Sequence, residues 1–473
     1  MVRNKILHCF LFWFLSQNAL GAISNYVPPL LPNADFVDRI EAYGCSAKTF
    51  RAFQPQSHGD LLEALMVYSE SDCSGPDWLL EEREILGRSY LQSEARVFAL
   101  VSSEKPLDLL GQEASVDPFQ SLREGRRAYG GSQIYSEMNL NSQMVSHGDW
   151  GLALSVTPGF LLAHQNTSSL FNQFYLQDGY VKAGYRRTEL VFGRVYERFG
   201  EAKYGNLILS GGHKPVDMVK FAVRPHWIKP LSFLGPVTFQ TWIGSDKSEL
   251  GRRGSQLFAT QIGLRPFTFF ELGFLNLMHR GGEGSEALSS SQGHQSTASH
   301  LALWGPGQGF KLYNQLFFGK LGRLENWLIQ DMSYLVGLWF PKVGAGDIRF
   351  EWVNIRDNAY SDIHYSQGWT YSGSSLGHPV GNSGQAFYLD FSLPVIEKWR
   401  PEVGVSLEER NRSKLSGLLK ETRVSFSLGA VKRFRATELD LQLKAQRIEN
   451  RNYLPTSPEW EGGFFGFLRY SFL

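Results

Sequence analysis

The chain has 473 residues, with 47 Lys and Arg against 46 Asp and Glu, and the resulting formal charge of +1 leaves no electrostatic footprint for nucleic acid. Aromatic residues reach 14%, with 48 glycines and 12 tryptophans, which is heavy for an ordinary globular enzyme. Past the N-terminus no apolar run approaches the roughly 20 residues of a helical span, so helical membrane crossing is excluded. A membrane β-barrel accounts for the last two facts: it needs only alternate apolar residues, and its aromatics gather at two interfaces.

At the N-terminus Arg3 and Lys5 precede an apolar run from Ile6 to Leu15, followed by Ala19, Gly21 and Ala22. A positive start, a short apolar stretch and small residues predict a cleaved secretory signal over residues 1–22. The run is too short for an anchor, and Cys9 lies inside it without a lipidation context. The mature chain then keeps Cys45 and Cys73. In an oxidising compartment such a pair predicts a disulfide closing a loop of about 28 residues, worth roughly 3 kcal/mol in the chain-entropy model. Two separate buried thiols are the alternative.

Residues 23–128 read as a small helical periplasmic domain and a linker. Helical period runs from about Asn33 to Val101, with Phe36, Val37 and Ile40 on one face of a first helix. Ser57 is a candidate N-cap before the stripe Leu61, Leu62 and Leu65, and Pro76 opens a helix burying Leu79, Leu80, Ile85 and Leu86. Pro106 to Arg127 is a polar link. The bundle is too small for a large core of its own.

Residues 129–473 read as strands separated by polar, Gly-rich turns. Predicted strands include Trp150 to Thr157, Tyr180 to Tyr185, Glu189 to Val195, Asp217 to Val223, Val237 to Gly244, Phe258 to Leu264 and Phe270 to Met278. Further ones are Ile348 to Ile355, Phe387 to Leu393, Val403 to Leu407, Val424 to Gly429 and Leu439 to Ile448. In the run from Val237 to Ile243 the odd positions lean apolar, and Trp242 breaks that alternation. Ser285 to His300, rich in Ser, Gly, His and Gln, reads as a long external loop. About 340 residues at roughly 18–20 per strand and connection make roughly 16 to 18 strands. In the final segment Phe464, Leu468, Tyr470 and Phe472 share one face, opposite Phe465, Phe467 and Arg469, as in a closing barrel strand.

No catalytic constellation stands out, so the chain reads as a non-enzyme without cofactor or metal. The histidines are scattered, with no pair at helical metal-ligand spacing. Gly373-Ser374-Ser375-Leu376-Gly377 matches a nucleophile elbow formally but lacks the flanking strand and helix, so it reads as a loop. Gly305 to Gly309 is Gly-rich without the Lys-Ser/Thr of a phosphate loop. Glu408 and Glu409 are adjacent, so in a strand they face opposite sides and cannot flank one bond.

Several segments together resemble the Wzi family of capsule assembly proteins. They are Gly193-Arg194 with Gly205-Asn206-Leu207-Ile208-Leu209-Ser210, Arg265-Pro266 with Phe270-Glu271-Leu272-Gly273-Phe274, and Phe350-Glu351-Trp352. Gly368-Trp369-Thr370-Tyr371-Ser372-Gly373 continues into Leu376-Gly377-His378-Pro379 and Gly381, and the segment from Asp35 to Glu41 suits the family's periplasmic part. The chain departs from the family in carrying Asn382-Ser383 where a carboxylate is expected. The resemblance implies an outer-membrane barrel of about 18 strands, plugged at its periplasmic mouth by N-terminal helices. It further implies a lectin-like role, binding or organising capsular or surface polysaccharide.

Sugar rings pack apolar faces on Trp and Tyr and offer hydroxyls and acids to polar groups. Candidate binding residues on external loops are therefore Trp304, Trp369, Tyr371 and His378, with Arg280 and Arg356 as partners for a uronic carboxylate. The same aromatics could instead be interface girdle. Expected partners besides polysaccharide are outer-membrane lipid, lipopolysaccharide and the barrel assembly machinery, with the protein a monomer. An open porin or substrate-specific channel is the competing reading.

Overall fold

The computed structural model describes residues 26–27, 53–54, 56–57 and, with gaps at several connections, 93–472. Eighteen strands close into one antiparallel barrel. In chain order they are β1 (Ser93–Ser102), β2 (Gly131–Val145), β3 (Trp150–Gln165), β4 (Leu170–Tyr185), β5 (Thr188–Val195) and β6 (Val216–Val223). Then come β7 (Val237–Asp246), β8 (Ser255–Phe267), β9 (Phe270–Arg280), β10 (His294–Gly305), β11 (Phe310–Phe318) and β12 (Met332–Val343). The circuit ends with β13 (Gly346–Asn354), β14 (Gln385–Ser392), β15 (Trp399–Arg410), β16 (Glu421–Phe434), β17 (Thr437–Glu449) and β18 (Glu459–Phe472). Closure runs between β18 and β1, from Gly463 opposite Ser102 to Phe472 opposite Ser93. With no free edge, every ladder is satisfied inside the sheet, as a lipid-embedded sheet requires.

Strand period divides the two surfaces. On β18, Phe464, Leu468 and Tyr470 face outward and are exposed, while Glu461, Phe465, Phe467 and Arg469 are buried inside. The outer face elsewhere carries Leu190, Phe192, Ile243, Ile262, Phe274, Leu428 and Leu443, all open on the isolated chain. An apolar outer belt over a charged interior is the surface of a membrane barrel. No helix among the described residues is long and apolar enough to cross a membrane, and the crossing is made by strands.

The barrel has a short-turn end and a long-loop end. Connections at residues 186–187, 268–269, 344–345 and 435–436 lie at one, and those at 103–130, 196–215 and 355–384 at the other. Barrels of this kind keep short turns in the periplasm and long loops outside. Aromatic clusters mark both rims. Trp150 lies 4.6 Å from Tyr185 at the short-turn end, and Trp352 lies 4.9 Å from Tyr334 and 6.0 Å from Phe387 at the other.

The described residues of two long-loop connections turn back into the lumen. The first inner segment, residues 196–215, buries Phe199, Ala202, Leu207, Ile208 and Leu209; the second, residues 355–384, buries Tyr360, Trp369, Leu376 and Val380. Both join inward residues of the wall, including Trp242, Leu257, Leu275, Tyr313, Leu335 and Tyr388, in one apolar core.

Three expectations are corrected. The barrel begins at Ser93, not after residue 128: β1 lies within the stretch read as helical. Its inward Phe98 and Leu100 and outward Val97 and Val101 make both faces apolar, so no alternation marks it. The link from Pro106 to Arg127 contains a hairpin, Leu107–Leu109 with Gln112–Val116. His294 to His300 belong to β10, not to a loop. Its outward residues there are Gln295, Thr297 and Ser299, and Thr297 Oγ1 accepts from Asn276 Nδ2 at 3.3 Å, so a polar outer stripe conceals the strand.

Signal residues 1–22, Cys45, Cys73 and the expected helices before residue 93 lie outside the described residues. What is described there is two short ladders. Tyr26–Val27 pairs with Gln56–Ser57, so Ser57 ends a ladder just before the helix it was expected to cap. Phe53–Gln54 pairs with Arg198–Phe199, which brings the pre-barrel chain onto the first inner segment.

Candidate functional site at the outer mouth

The inner segments are held by wall side chains that do the work of secondary structure. A chain crossing a lumen has backbone groups with no ladder to join, and each buried N–H needs a partner. Glu351 on β13 accepts from the N–H groups of Lys203 at 2.6 Å and Tyr204 at 3.2 Å, and from the Tyr313 hydroxyl. Gln315 on β11 accepts from Leu207 N–H at 3.0 Å and donates to Asn206 Oδ1 at 2.7 Å. Bonds to a buried carboxylate are worth about 1.5–3 kcal/mol each, which makes Glu351 the firmest single tie.

The segments also hold each other. The Tyr360 hydroxyl donates to Leu207 C=O at 2.9 Å and accepts from His378 N–H at 3.0 Å, while Ser210 N–H donates to Leu376 C=O at 3.1 Å. Gly205 sits at the crossing with φ of +135°, and a Cβ there would lie 2.6 Å from Pro379 Cδ and 3.2 Å from His378 Cδ2. Only glycine permits both that backbone and that approach. Burial drives His378 down to about 3, with the nearby Glu408 carboxylate opposing, so this imidazole is neutral across the physiological range. Burial likewise lowers His213, whose ring nitrogens each lie 2.7 Å from a carbonyl oxygen, of Lys214 and of Glu197.

Charges in the lumen are paired across the wall. Lys182 meets Glu189 at 2.8 Å, Lys220 meets Glu197 at 2.8 Å, and Arg469 meets Glu438 at 2.9 Å. Glu201, Glu271 and His300 bring ligand atoms within 4.8 Å of one another, close enough for a metal ion. Lys311 supplies a cation to the same carboxylate, Glu201, which also lies 3.2 Å from His300 Nε2. The group therefore serves as a bracket from the first inner segment to β10 and β11.

The residues predicted for sugar binding separate into three places. Trp369, Tyr371 and His378 all lie on the second inner segment and are buried. The Tyr371 hydroxyl accepts from Asp217 N–H at 3.2 Å and donates to Ser245 C=O at 3.1 Å, and Trp369 stands edge-on to His279 at 6.1 Å. They are the body of the seal, closed to a glycan in this conformation. Trp304 is not on an external loop. It points inward near the short-turn end of β10, with Arg265 and Lys311 each 4.6 Å from its ring. Its segment precedes a short connection and not an outer loop, a parity that emerges only once all eighteen strands are counted.

Arg280 and Arg356 are exposed, and both lie at the long-loop rim. Arg280 ends β9 on the outward face, 5.8 Å from the Phe258 ring, so it addresses the membrane surface more than the mouth. Arg356 lies two residues past the end of β13, four strands further round the barrel. Glu408 and Glu409 do part to opposite sides: Glu408 pairs inside with Arg410 at 2.7 Å, and Glu409 meets Lys420 at 2.7 Å. Ser375 Oγ accepts from Gly377 N–H at 3.1 Å in a turn, and Ser374–Ser375 form a short ladder with Thr370–Tyr371, with no helix following.

Sequence reasoning assigns no role to Asn354, Ser383 and Arg412 at the rim or to Gln315 beneath it. Glu351 stands in a segment that carries the family resemblance, on a strand that also bears Asp347 and Arg349, so its charge alone does not single it out.

A sealed eighteen-strand barrel with this rim can be set beside known proteins. One sequence family matches. It is the capsule assembly protein Wzi family, over residues 123–309. The solved Wzi of Escherichia coli superposes with a TM-score of 0.72 at 16% identity, covering 94% of this chain and 99% of that one. That protein is described as an outer membrane protein involved in group 1 capsule assembly and as a carbohydrate-binding β-barrel. OprD of Pseudomonas aeruginosa, an outer membrane protein, superposes with a TM-score of 0.51 at 8% identity, covering 81% of this chain and 92% of that one. At these identities the two structures establish the fold. No curated protein matches the sequence. The Wzi match covers β2 to β10 and includes the first inner segment, so it carries both wall and seal.

Proposed function

We propose that the chain is an outer-membrane lectin-like barrel that binds or organises capsular or surface polysaccharide at the cell surface, and that it is not an enzyme. The observation that carries this reading is the Wzi-family match over a barrel whose lumen is crossed and packed by two inner segments. A diffusion pore gains nothing from an apolar core built across its own lumen. A surface-binding protein gains a rigid platform, since a site positioned by locked side chains loses less entropy on binding.

Polysaccharide approaches from the long-loop side, where Arg356 is exposed. Trp369, Tyr371 and His378 act from below, fixing the shape of the platform. Arg280, outward at the outer leaflet, suits a lipopolysaccharide headgroup, and the barrel assembly machinery would insert the chain by its closing strands. The N-terminal region serves as a periplasmic plug, for which the ladder between Phe53–Gln54 and Arg198–Phe199 offers an attachment point.

The competing reading is an open porin or substrate-specific channel. Deleting the gene in the producing bacterium tests the proposal. The expected result is surface polysaccharide released to the medium at unchanged total synthesis. Unchanged attachment together with lost uptake of a small solute would favour the channel.

A further inference from the structure

The rim carries a feature that neither the seal nor the barrel requires. Ser383 is a non-glycine residue in the left-handed region, with φ of +51°. Such strain persists where surroundings impose it, often at binding sites. Here it lets one residue bond in two directions. Ser383 N–H donates to Arg356 C=O at 3.1 Å, and Ser383 C=O accepts from Arg412 N–H at 2.9 Å. Its hydroxyl accepts from Ser413 N–H at 2.9 Å and lies 2.7 Å from the Ser413 hydroxyl. The backbones of two arginines from different outer connections are thereby clasped to one serine.

The side chains follow. Arg412 Nη1 donates to Asn354 Oδ1 at 2.7 Å, which lays its guanidinium beside the chain two residues before Arg356. Arg356 N–H is itself pinned to Ser333 Oγ at 3.1 Å. Arg412 stays 41% open to solvent, and the Arg356 guanidinium, also exposed, has no hydrogen bond or ion pair among the described residues. Acids nearby are Glu409 and Asp357. Glu409 lies 3.7 Å from Arg412 Nε but its other oxygen is held by Lys420 at 2.7 Å, and Asp357 is exposed beside Arg356 in the chain. Among the described residues of this cluster, Arg356, Arg412 and Lys420 face Glu409 and Asp357, and the Arg356 guanidinium has no partner there.

We propose that Arg356 and Arg412, clasped by Ser383, form a clamp for the carboxylates of an acidic polysaccharide, and that the clamp sets preference for acidic over neutral glycans. This rests on the polysaccharide-binding reading and adds the charged group it selects. Guanidinium forks match a carboxylate in geometry and charge, and Arg412 arrives already oriented by Asn354.

The test uses full-length protein in detergent and surface polysaccharide from the producing bacterium, native and after chemical reduction of its carboxylates to alcohols. Binding to each is measured for the natural protein, for Arg356→Gln/Arg412→Gln, and for Arg356→Lys/Arg412→Lys. The natural protein is expected to bind the native glycan at least tenfold more tightly than the reduced one. The glutamine variant should lose that discrimination, and the lysine variant should recover part of it. Both variants should retain the heat-modifiable shift of a folded barrel, because the two side chains are exposed. Equal binding of native and reduced glycan by the natural protein, or full discrimination by the glutamine variant, overturns the clamp while leaving polysaccharide binding intact. Binding of neither glycan overturns both.

Discussion

At the scale of single residues, Glu351 ties the first inner segment to the barrel wall. Its two oxygens serve the Lys203 and Tyr204 amides and the Tyr313 hydroxyl, and it is 1% exposed. Removing it strands two partly buried N–H groups that no ladder can reclaim. We expect Glu351→Ala to destabilise the folded barrel by about 2–3 kcal/mol, read from the urea midpoint followed by heat-modifiability. Glu351→Gln should fall between, because its one carbonyl oxygen can serve only part of the set. A Glu351→Ala protein as stable as the natural one would mean that the inner segment is held elsewhere. Arg356 is the reverse case, an exposed charge that no described residue pairs, and the proposed clamp uses it.

At the scale of elements, the inner segments convert two loops into a second core. Their histidines make stability depend on pH. His378 is held down to about 3 in the folded protein, against about 6.5 in an unfolded chain. Above about pH 6.5 the imidazole is neutral in both states and contributes no slope. As pH falls below that value the unfolded chain takes up a proton that the folded one refuses, so stability declines down to about pH 3. His213 is lowered in the same direction. The unfolding midpoint should therefore be lower at pH 5 than at pH 8, and His378→Asn should narrow the difference. An unchanged difference would show that this imidazole is accessible to protons when folded. Replacing residues 355–384 by a short turn makes a second test, read as conductance in a planar bilayer. We expect the shortened protein to conduct more than the intact one, and equal conductance would show that the second inner segment does not obstruct the lumen.

The same inner core explains which strands were legible in the sequence. The predicted strands from Trp150 to Ile448 coincide with barrel strands, most of them drawn too short and two, ending at Ile355 and Leu393, running one residue past the strand end. Where both faces are apolar the alternation fails: Trp242 broke the pattern because it faces the inner segments, at 2% exposure. Strands β11 and β12 escaped for the same reason, with Tyr313, Phe317, Leu335 and Trp339 buried on the lumen side. Strand β10 escaped by the opposite route, a polar outer stripe at Gln295, Thr297 and Ser299. The rim was legible only in part. Arg356 could be nominated from charge and position, but its link to Arg412 depends on Ser383, whose left-handed backbone no composition announces.

At the scale of the whole molecule, eighteen strands must close on one register, and the closing pair is β18 with β1. Ten residues of each strand align there, from Gly463 and Ser102 to Phe472 and Ser93. Tyr470, 51% exposed on the outward face, belongs to the apolar belt. Replacing Tyr470 and Phe472 together with serine is expected to reduce insertion of the barrel into the outer membrane, seen as loss of the heat-modifiable band from that fraction. Normal abundance and normal heat-modifiability would show that closure does not depend on them.

The central claim is that a sealed barrel presents a glycan-binding rim. Its most direct test is equilibrium binding of the purified full-length protein to surface polysaccharide from the producing bacterium, with unrelated neutral polysaccharides as reference. Saturable binding to the bacterium's own polysaccharide, at least tenfold tighter than to the others, is the predicted result. No binding to it, together with large steady conductance of the intact protein, would contradict the account and leave a channel in its place.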